Sequence, residues 1–553
     1  MTAWPLPQIE QWFLRAGLFL LPLAFWWDTY DHYVLPKLLV ARVLVLGLLI
    51  LYVARAISAR TLAVKRTPLD LPWLAFIASA GLSTLFAENQ NVAVFGIYSR
   101  YDGLVTILTY AALFWLSVQA LDGARDARSL LRVLLASGYL VAVLAIIQSV
   151  TDSLAQGAQV PAFGTLGQKN TLGAFLALLC PLAYYELVAA QSWAGRMLAL
   201  NALAVIGLAL FLTFSRSAWL GAALAAVVVV AGTKHLNMRR AGLAAGALAI
   251  VGAVVTAMAL AGAIPLERDL ASLGDRPAIW LDSVNLIASR PLVGYGPDNV
   301  GLVYPRFQAK QLPQLLDKTH SEPLQVAATQ GLVGLAAYGW MLAAFVLAFW
   351  RGRRADGAYP IFAAWVAYQV TLLLNFSALA SAFPFWIFAA AGLASWGPIA
   401  PAKSRPLGGK WWPAVGGVVI AGAAGLAVAV TALPFLADVH LLNAVKADSR
   451  RQLETAHAEA QQARHLWPVE SVYAVEIGNL AFERNDWAAA RLAYRDAAQL
   501  GTYNPLVYRN LALADRDLGL RSEGEAAARK AVELDRFDPA NQALLAQFEV
   551  GGP

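Results

Sequence analysis

The chain has 553 residues, of which 59% are hydrophobic and only 14% are charged. Soluble domains carry about 25% charged residues, so this composition excludes a chain that is soluble throughout. The net charge of +7 invites a nucleic-acid ligand, but the basic residues are spread over many short loops and form no single patch, which argues against one. The single cysteine, Cys180, excludes an internal disulfide and a cysteine-based metal site.

Apolar stretches long enough to cross a bilayer recur from the N-terminus to about residue 434. We therefore predict an all-α polytopic membrane domain over residues 1–434, with about 12–13 transmembrane helices. The predicted spans lie near residues 12–27, 35–54, 71–87, 103–121, 130–150, 171–188, 197–214, 217–233, 241–263, 322–350, 358–376, 383–399 and 412–434.

The basic residues alternate along the chain and predict how it crosses the membrane. If the N-terminus is cytoplasmic, every second connection carries an excess of lysine and arginine, as the positive-inside rule requires. These connections hold Arg55, Arg60, Lys65, Arg66, Arg125, Arg128, Arg196, Lys234, Arg239, Arg240, Arg351, Arg353, Arg354, Lys403, Arg405 and Lys410. The connection from about 264 to 321 and everything after 434 then lie outside the cytoplasm. Basic residues on that side break the rule and are candidates for function, namely Arg100, Lys169, Arg216, Arg276 and Arg290.

The last part of the chain, residues 435–553, has no apolar span and contains an internal repeat. Prolines recur at intervals of about 34 residues, which is the tetratricopeptide period. Small residues between them, such as Gly478 and Ala490, allow two helices to pack closely. We predict an extracytoplasmic α-solenoid of helix pairs, which either binds a protein or glycan on its concave surface or acts as a cap or dimerisation element.

His320 is the most informative residue of the long outer connection, because it stands directly before the next span. A neutral imidazole there can accept a proton near neutral pH, and Glu322 could orient it, although His320 could also simply anchor the helix. No second histidine or acidic cluster stands at ligand spacing, so we predict no metal site. Gly294-x-Gly296 is not a dinucleotide fingerprint, because Asn299 occupies the place of the third glycine.

Arg216 lies between two spans, where a guanidinium is costly unless it is paired, solvated or able to snorkel to the headgroups. The planar fork of a guanidinium suits phosphate oxygens. Combined with His320, the outer arginines predict a lipid-linked diphosphate donor: a base takes the proton of an acceptor hydroxyl, and cations stabilise the departing diphosphate. This scheme needs no metal.

The order of several motifs resembles the O-antigen ligase and O-antigen polymerase superfamily, which includes bacterial protein O-oligosaccharyltransferases. The matching stretches are 95–104, 164–170, 215–217, 276–280, 291–297 and 320–322, followed by Gly331. The resemblance implies a GT-C-like enzyme of the bacterial inner membrane, with an undecaprenyl-diphosphate-linked glycan as donor and no cofactor. It implies that His320 is the catalytic base and that Arg216 and Arg276 bind the diphosphate. Supporting roles then fall to Glu322, Arg100, Lys169, Asn170 and Arg290.

Several alternatives remain open at this point. The acceptor is lipid A–core for a ligase, another glycan for a polymerase, or a serine or threonine of a protein; a ligase-like enzyme is preferred because that family name covers the motifs. A transporter of lipid-linked sugars would carry polar relay residues within several spans. A membrane-anchored scaffold would work through its tail and would not depend on His320.

Overall fold

The chain folds into a helical membrane domain followed by a helical tail. The structure is a computed structural model, and it describes residues 6–232, 266–312, 315–397, 399–407 and 411–550. The α-helices of the membrane domain are Leu6–Leu20, Val34–Ala59, Asp70–Leu85, Gln90–Phe95, Leu104–Ala120, Ala124–Gln156, Lys169–Ala189, Trp193–Leu212, Arg216–Gly232, Leu266–Ser289, Val300–Val303, Glu322–Gly352, Ala358–Leu373, Leu379–Trp396 and Trp412–Ala427. Short helical turns are formed by Gly164–Leu166, Tyr304–Arg306 and Val428–Ala432. The all-α prediction is confirmed.

Most of the predicted spans correspond to apolar helices. Within the described residues, seven helices are long and apolar enough to cross a membrane, and four shorter apolar helices accompany them. The predicted span 241–263 lies outside the described residues. The first predicted span, 12–27, is displaced: the helix covers Leu6–Leu20 and ends before Pro22, whose ring cannot continue a helix.

One face of the membrane domain collects the connections predicted to be cytoplasmic. The strand Thr61–Arg66 pairs antiparallel with the strand Ala400–Pro406, although the sequence predicted no sheet. Next to this pair, the Lys65 ammonium lies 2.6 Å from the Asp122 carboxylate. Because separate basic connections contact one another here, they lie on one side of the helices.

The opposite face collects the connections predicted to be extracytoplasmic. The Thr165 hydroxyl donates to the Pro22 carbonyl at 2.7 Å, and the Asn89 backbone N–H donates to the Asn299 side chain at 2.8 Å. The tail begins on this same face, because the Asp31 backbone N–H donates to the Asp438 carboxylate at 2.9 Å. The motifs singled out in the sequence therefore share one face with the tail.

The tail consists of consecutive helix pairs followed by one last helix. Its helices are Leu433–Ser449, Leu453–Leu466, Ser471–Glu483, Trp487–Leu500, Pro505–Asp517, Arg521–Leu534 and Pro539–Val550. Gly478 shows why small residues recur: a Cβ atom there would lie 2.6 Å from the Tyr494 ring of the paired helix. Close helix approach thus depends on glycine and alanine, as the repeat predicted.

Candidate functional site

A sharp kink shapes the helix that follows His320. Gly331, inside Glu322–Gly352, has a φ of 68°, in the left-handed region that favours glycine. The segment 291–296 lies against the kink: the Leu332 N–H donates to the Pro291 carbonyl at 2.7 Å, and the Gly296 N–H donates to the Thr329 carbonyl at 2.9 Å. This segment therefore holds the first turns of the helix in place.

The backbone of His320 adopts an uncommon conformation. Its φ is 54°, which is strained for a residue with a side chain. Neighbouring hydrogen bonds maintain it, since the Thr319 N–H donates to the Gln325 side chain at 2.9 Å and the Thr319 hydroxyl donates to the Ser321 carbonyl at 3.0 Å. Strained residues of this kind concentrate at functional sites, where the surroundings enforce them.

The His320 imidazole is neutral at physiological pH. Burial, together with the Arg276 and Arg100 charges, lowers its pKa to about 4, and the Asp317 carboxylate opposes this shift. The ring contacts Phe376 edge-on, with centroids 5.5 Å apart. Arg276 and Arg100 thus lie near enough for their charges to act on His320, whose unprotonated nitrogen is suited to accept a proton.

Arg100 reaches the site with a carboxylate partner. Its Nε atom lies 2.5 Å from Asp317 Oδ2, and its Nη2 atom lies 3.2 Å from Asp317 Oδ1. The guanidinium also lies over the Phe376 ring, 5.4 Å from the centroid. The negative charge of Asp317 therefore balances the positive charge of Arg100.

Lys318 forms a buried ion network that the sequence analysis missed. Its side chain is 2% exposed, and Nζ lies 2.8 Å from Asp298 and 3.0 Å from Asp102. Burial alone would lower the pKa of Lys318, but the two carboxylates outweigh burial and raise it. Asp298 also accepts the Ile97 N–H at 2.9 Å, so the network ties three segments together. Lys318 lies in the same predicted outer connection as Arg276 and Arg290, so its positive charge could have identified it as a candidate.

The segments that carry Asn170 and Arg216 lie side by side. Ser215 Oγ donates to Asn170 Oδ1 at 3.0 Å. Lys169 is the first residue of Lys169–Ala189, and Arg216 is the first residue of Arg216–Gly232. Two separate sequence motifs, each with a cation at a helix start, therefore form one region.

Glu322 and Arg290 are engaged elsewhere. Glu322 Oε2 accepts the Ser377 N–H at 2.7 Å, so this carboxylate holds the loop that carries Phe376. Arg290 lies 3.5 Å from Glu88, with its guanidinium 4.4 Å from the centre of the Tyr295 ring. Both arrangements organise loops around the site.

A cavity of about 220 Å³ opens beside His320, with Phe376 as a shared wall. Its polar lining comes from five separate segments: Asp31, Tyr33, Ser99, Arg100, Asp102, Gln168, Thr171, Lys318 and Ser377. Among the residues that the structure describes, no three histidine, cysteine, aspartate or glutamate side chains form a group able to hold a metal ion.

The tail contacts the loops that build the site. The Asn91 side chain donates to the carbonyls of Val469 and Leu500, at 2.8 and 3.1 Å. Arg306 joins Glu533 of the tail at 2.8 Å. The tail therefore braces the segments that carry Arg100 and Asp298.

Comparison with known proteins identifies a family for the central part of the chain. Residues 201–339 match the family model described as O-Antigen ligase. The matched segment includes Arg216, Arg276, His320 and Gly331, and it supports glycosyl transfer of the ligase or polymerase type. The resemblance predicted from the motifs is confirmed.

The other comparisons add no function. No curated protein matches the chain. A solved structure titled "Crystal structure of APC/C hetero-tetramer Cut9-Hcn1" is similar at 13% identity, over 85% of this chain and 98% of that chain, with a TM-score of 0.20. A likeness with so low a score carries no argument.

Proposed function

We propose that this multi-pass membrane protein, which carries an O-antigen ligase domain over residues 201–339, transfers a glycan from undecaprenyl diphosphate to an acceptor hydroxyl. The observation that supports this most is the neutral, strained His320 beside the Arg276 guanidinium. A neutral imidazole is suited to accept the proton of a hydroxyl, and a nearby guanidinium is suited to a departing diphosphate.

The reaction follows from these roles. The acceptor oxygen attacks the anomeric carbon and transfers its proton to His320. The bond from that carbon to the diphosphate oxygen breaks, its electron pair stays on the diphosphate, and Arg216 and Arg276 stabilise the charge. Attack opposite the leaving group inverts the anomeric centre. The charge of the bound diphosphate raises the pKa of His320 from about 4, which makes it a stronger base in the complex than in the free enzyme.

The supporting residues act on this arrangement indirectly. Glu322 holds the 375–378 loop, and Asn170 connects Lys169 to the region of Arg216. Arg100, balanced by Asp317, and Arg290, beside Glu88, shape the loops. In this scheme neither a metal ion nor a cofactor takes part in the transfer.

The proposed orientation places the N-terminus in the cytoplasm and the tail in the periplasm of a bacterial inner membrane. Two observations support it: the basic connections contact one another on one face, and the tail shares the other face with His320. Reaction on the outer face also matches a donor whose glycan is presented there.

A transfer assay with the purified full-length protein tests the proposal. The assay supplies an undecaprenyl-diphosphate-linked glycan and separate lipid A–core, glycan and protein acceptors, with no ion gradient. His320→Ala is expected to abolish transfer while membrane insertion and abundance stay normal. His457→Ala, at a histidine in the tail, is the matched control and is expected to retain activity. Full activity of His320→Ala would refute the base assignment.

The acceptor is proposed to be lipid A–core, as in a ligase, with another glycan or a protein hydroxyl as the alternatives within the same superfamily. The species lost on gene deletion distinguishes them: capped lipid, long polymer or glycoprotein. The tail is proposed to bind the acceptor or a partner protein. Donor consumption without a gradient would eliminate the transporter alternative.

A further inference from the structure

The cavity beside His320 is poorly suited to an anion, although two cations line it. Arg100 is paired with Asp317, and Lys318 is paired with Asp102 and Asp298. Asp31 adds a further carboxylate to the wall. Because both cations are already paired with carboxylates, a diphosphate would meet little net attraction there.

One carboxylate oxygen of Asp31, a residue of the cavity wall, is buried without a hydrogen-bond partner among the described residues. Its side chain is buried, with the residue 8% exposed, and Oδ1 accepts the N–H groups of Tyr33 and Val34 at 3.1 and 2.9 Å. Within the described part of the chain, Oδ2 has no hydrogen-bond partner. A buried carboxylate oxygen is costly to leave without a donor, so a ligand hydroxyl or amide N–H would be stabilised by it.

The remaining walls combine apolar rings with neutral polar groups. Phe376 and Tyr33 contribute aromatic surface, while Gln168, Thr171 and Ser377 contribute amide and hydroxyl groups. Tyr33 is held by the Phe163 ring, with centroids 6.1 Å apart, so its ring position is defined by packing. Such walls favour a ligand that is both uncharged and rich in hydroxyl groups.

We propose that this cavity is a glycan subsite, in which a neutral sugar ring donates a hydroxyl or amide hydrogen to Asp31. The inference rests on the proposed glycosyl transfer and names where the sugar is held. The diphosphate is then bound by Arg216 and Arg276, and the sugar is held beside Phe376. The sugar belongs either to the donor or to the acceptor, since both carry the same chemistry.

A binding experiment tests the subsite independently of transfer. The probe is the glycan released by mild acid from the lipid-linked pool of the native cells, and saturation-transfer NMR measures its binding to the full-length protein. Asp31→Asn is expected to weaken binding about tenfold or more, because a hydrogen bond to a charged group is lost. Tyr33→Phe, which keeps the ring, is expected to weaken it less, and Asp152→Asn on the same face is expected to have no effect.

Competition with inorganic pyrophosphate separates the subsite from the diphosphate region. Pyrophosphate is expected to leave glycan binding unchanged, and His320→Ala is expected to retain it. The proposal is overturned if the wild type does not bind the released glycan, if Asp31→Asn and Tyr33→Phe both bind it as the wild type does, or if pyrophosphate displaces it. Glycan binding is measured without turnover. A wild type that binds the glycan but transfers none would therefore contradict the proposed function and not the subsite.

Transfer kinetics then identify the source of the sugar. A raised KM for the lipid-linked donor in Asp31→Asn assigns the cavity to the donor glycan, and a raised KM for the acceptor assigns it to the acceptor glycan. Either result supports the subsite. Unchanged KM values for both substrates would overturn it, provided that thermal unfolding shows Asp31→Asn to be as stable as Asp152→Asn.

Discussion

The ammonium group of Lys318, two residues before His320, lies 2.8 Å from the buried carboxylate of Asp298. Because both side chains are almost fully buried, neither charge has water to replace its partner. Removing one partner of such a pair lowers the free energy of unfolding by more than the intact pair contributes, because the remaining charge stays buried. The position of His320 therefore depends on a network that makes no contact with the reacting atoms in our scheme.

Lys318→Met is expected to destabilise the protein by about 3–5 kcal/mol, because Asp298 and Asp102 lose their shared cation. Thermal unfolding in detergent measures the loss. The matched control is Lys65→Met on the opposite face, whose partner Asp122 is exposed and which is expected to cost much less. Equal stability of the two variants would contradict the buried network.

The pH dependence of transfer is expected to be flat from about pH 5 to 8 for kcat/KM, which reports the free enzyme. The reason is that burial, with Arg276 and Arg100, lowers the pKa of His320 to about 4, so the imidazole is in its base form throughout this range. Activity falls only as the pH drops through about 4 and the ring becomes protonated. An inflection near the ordinary histidine pKa of 6.5 would contradict this environment.

Gly331→Ala is expected to impair both folding and transfer. A Cβ atom at Gly331 would lie 2.2 Å from the Leu292 carbonyl oxygen, and the positive φ alone costs about 1–2 kcal/mol. Gly339→Ala in the same helix is the control, because a Cβ atom there meets open space. Thermal unfolding and transfer rates should be near wild type for Gly339→Ala and reduced for Gly331→Ala. Similar results for both variants would show that the kink is dispensable.

Arg216→Ala and Arg276→Ala are each expected to reduce kcat/KM by about tenfold to a hundredfold or more, because a charge-assisted contact to the departing diphosphate is lost. Arg→Lys at either position should restore only part of the rate if the contact is bidentate. Arg290→Ala, beside Glu88, is the comparison and is expected to retain most activity. Full rescue by lysine would argue for a simple charge requirement.

The composition and the local order of residues along the sequence were sufficient to predict most helices and the separate tail. A run of apolar residues predicts a span whatever surrounds it, because the backbone must form its own hydrogen bonds in lipid. The spacing of small residues and prolines predicted the helix pairs for a similar local reason. The motifs around Arg216, Arg276 and His320 were recognisable because each is short and contiguous.

Only the tertiary structure decided which distant segments meet. The pairing of Lys318 with Asp102, the contact of Glu322 with Ser377 and the buried Oδ2 of Asp31 each join or enclose residues far apart in the chain. Charge and hydrogen-bond balance depend on distance and burial, which no local pattern encodes. The sequence by itself therefore determined the membrane domain, the tail and the candidate base, whereas the fold decided that Arg100 is balanced, that His320 is neutral and that the neighbouring cavity favours an uncharged ligand.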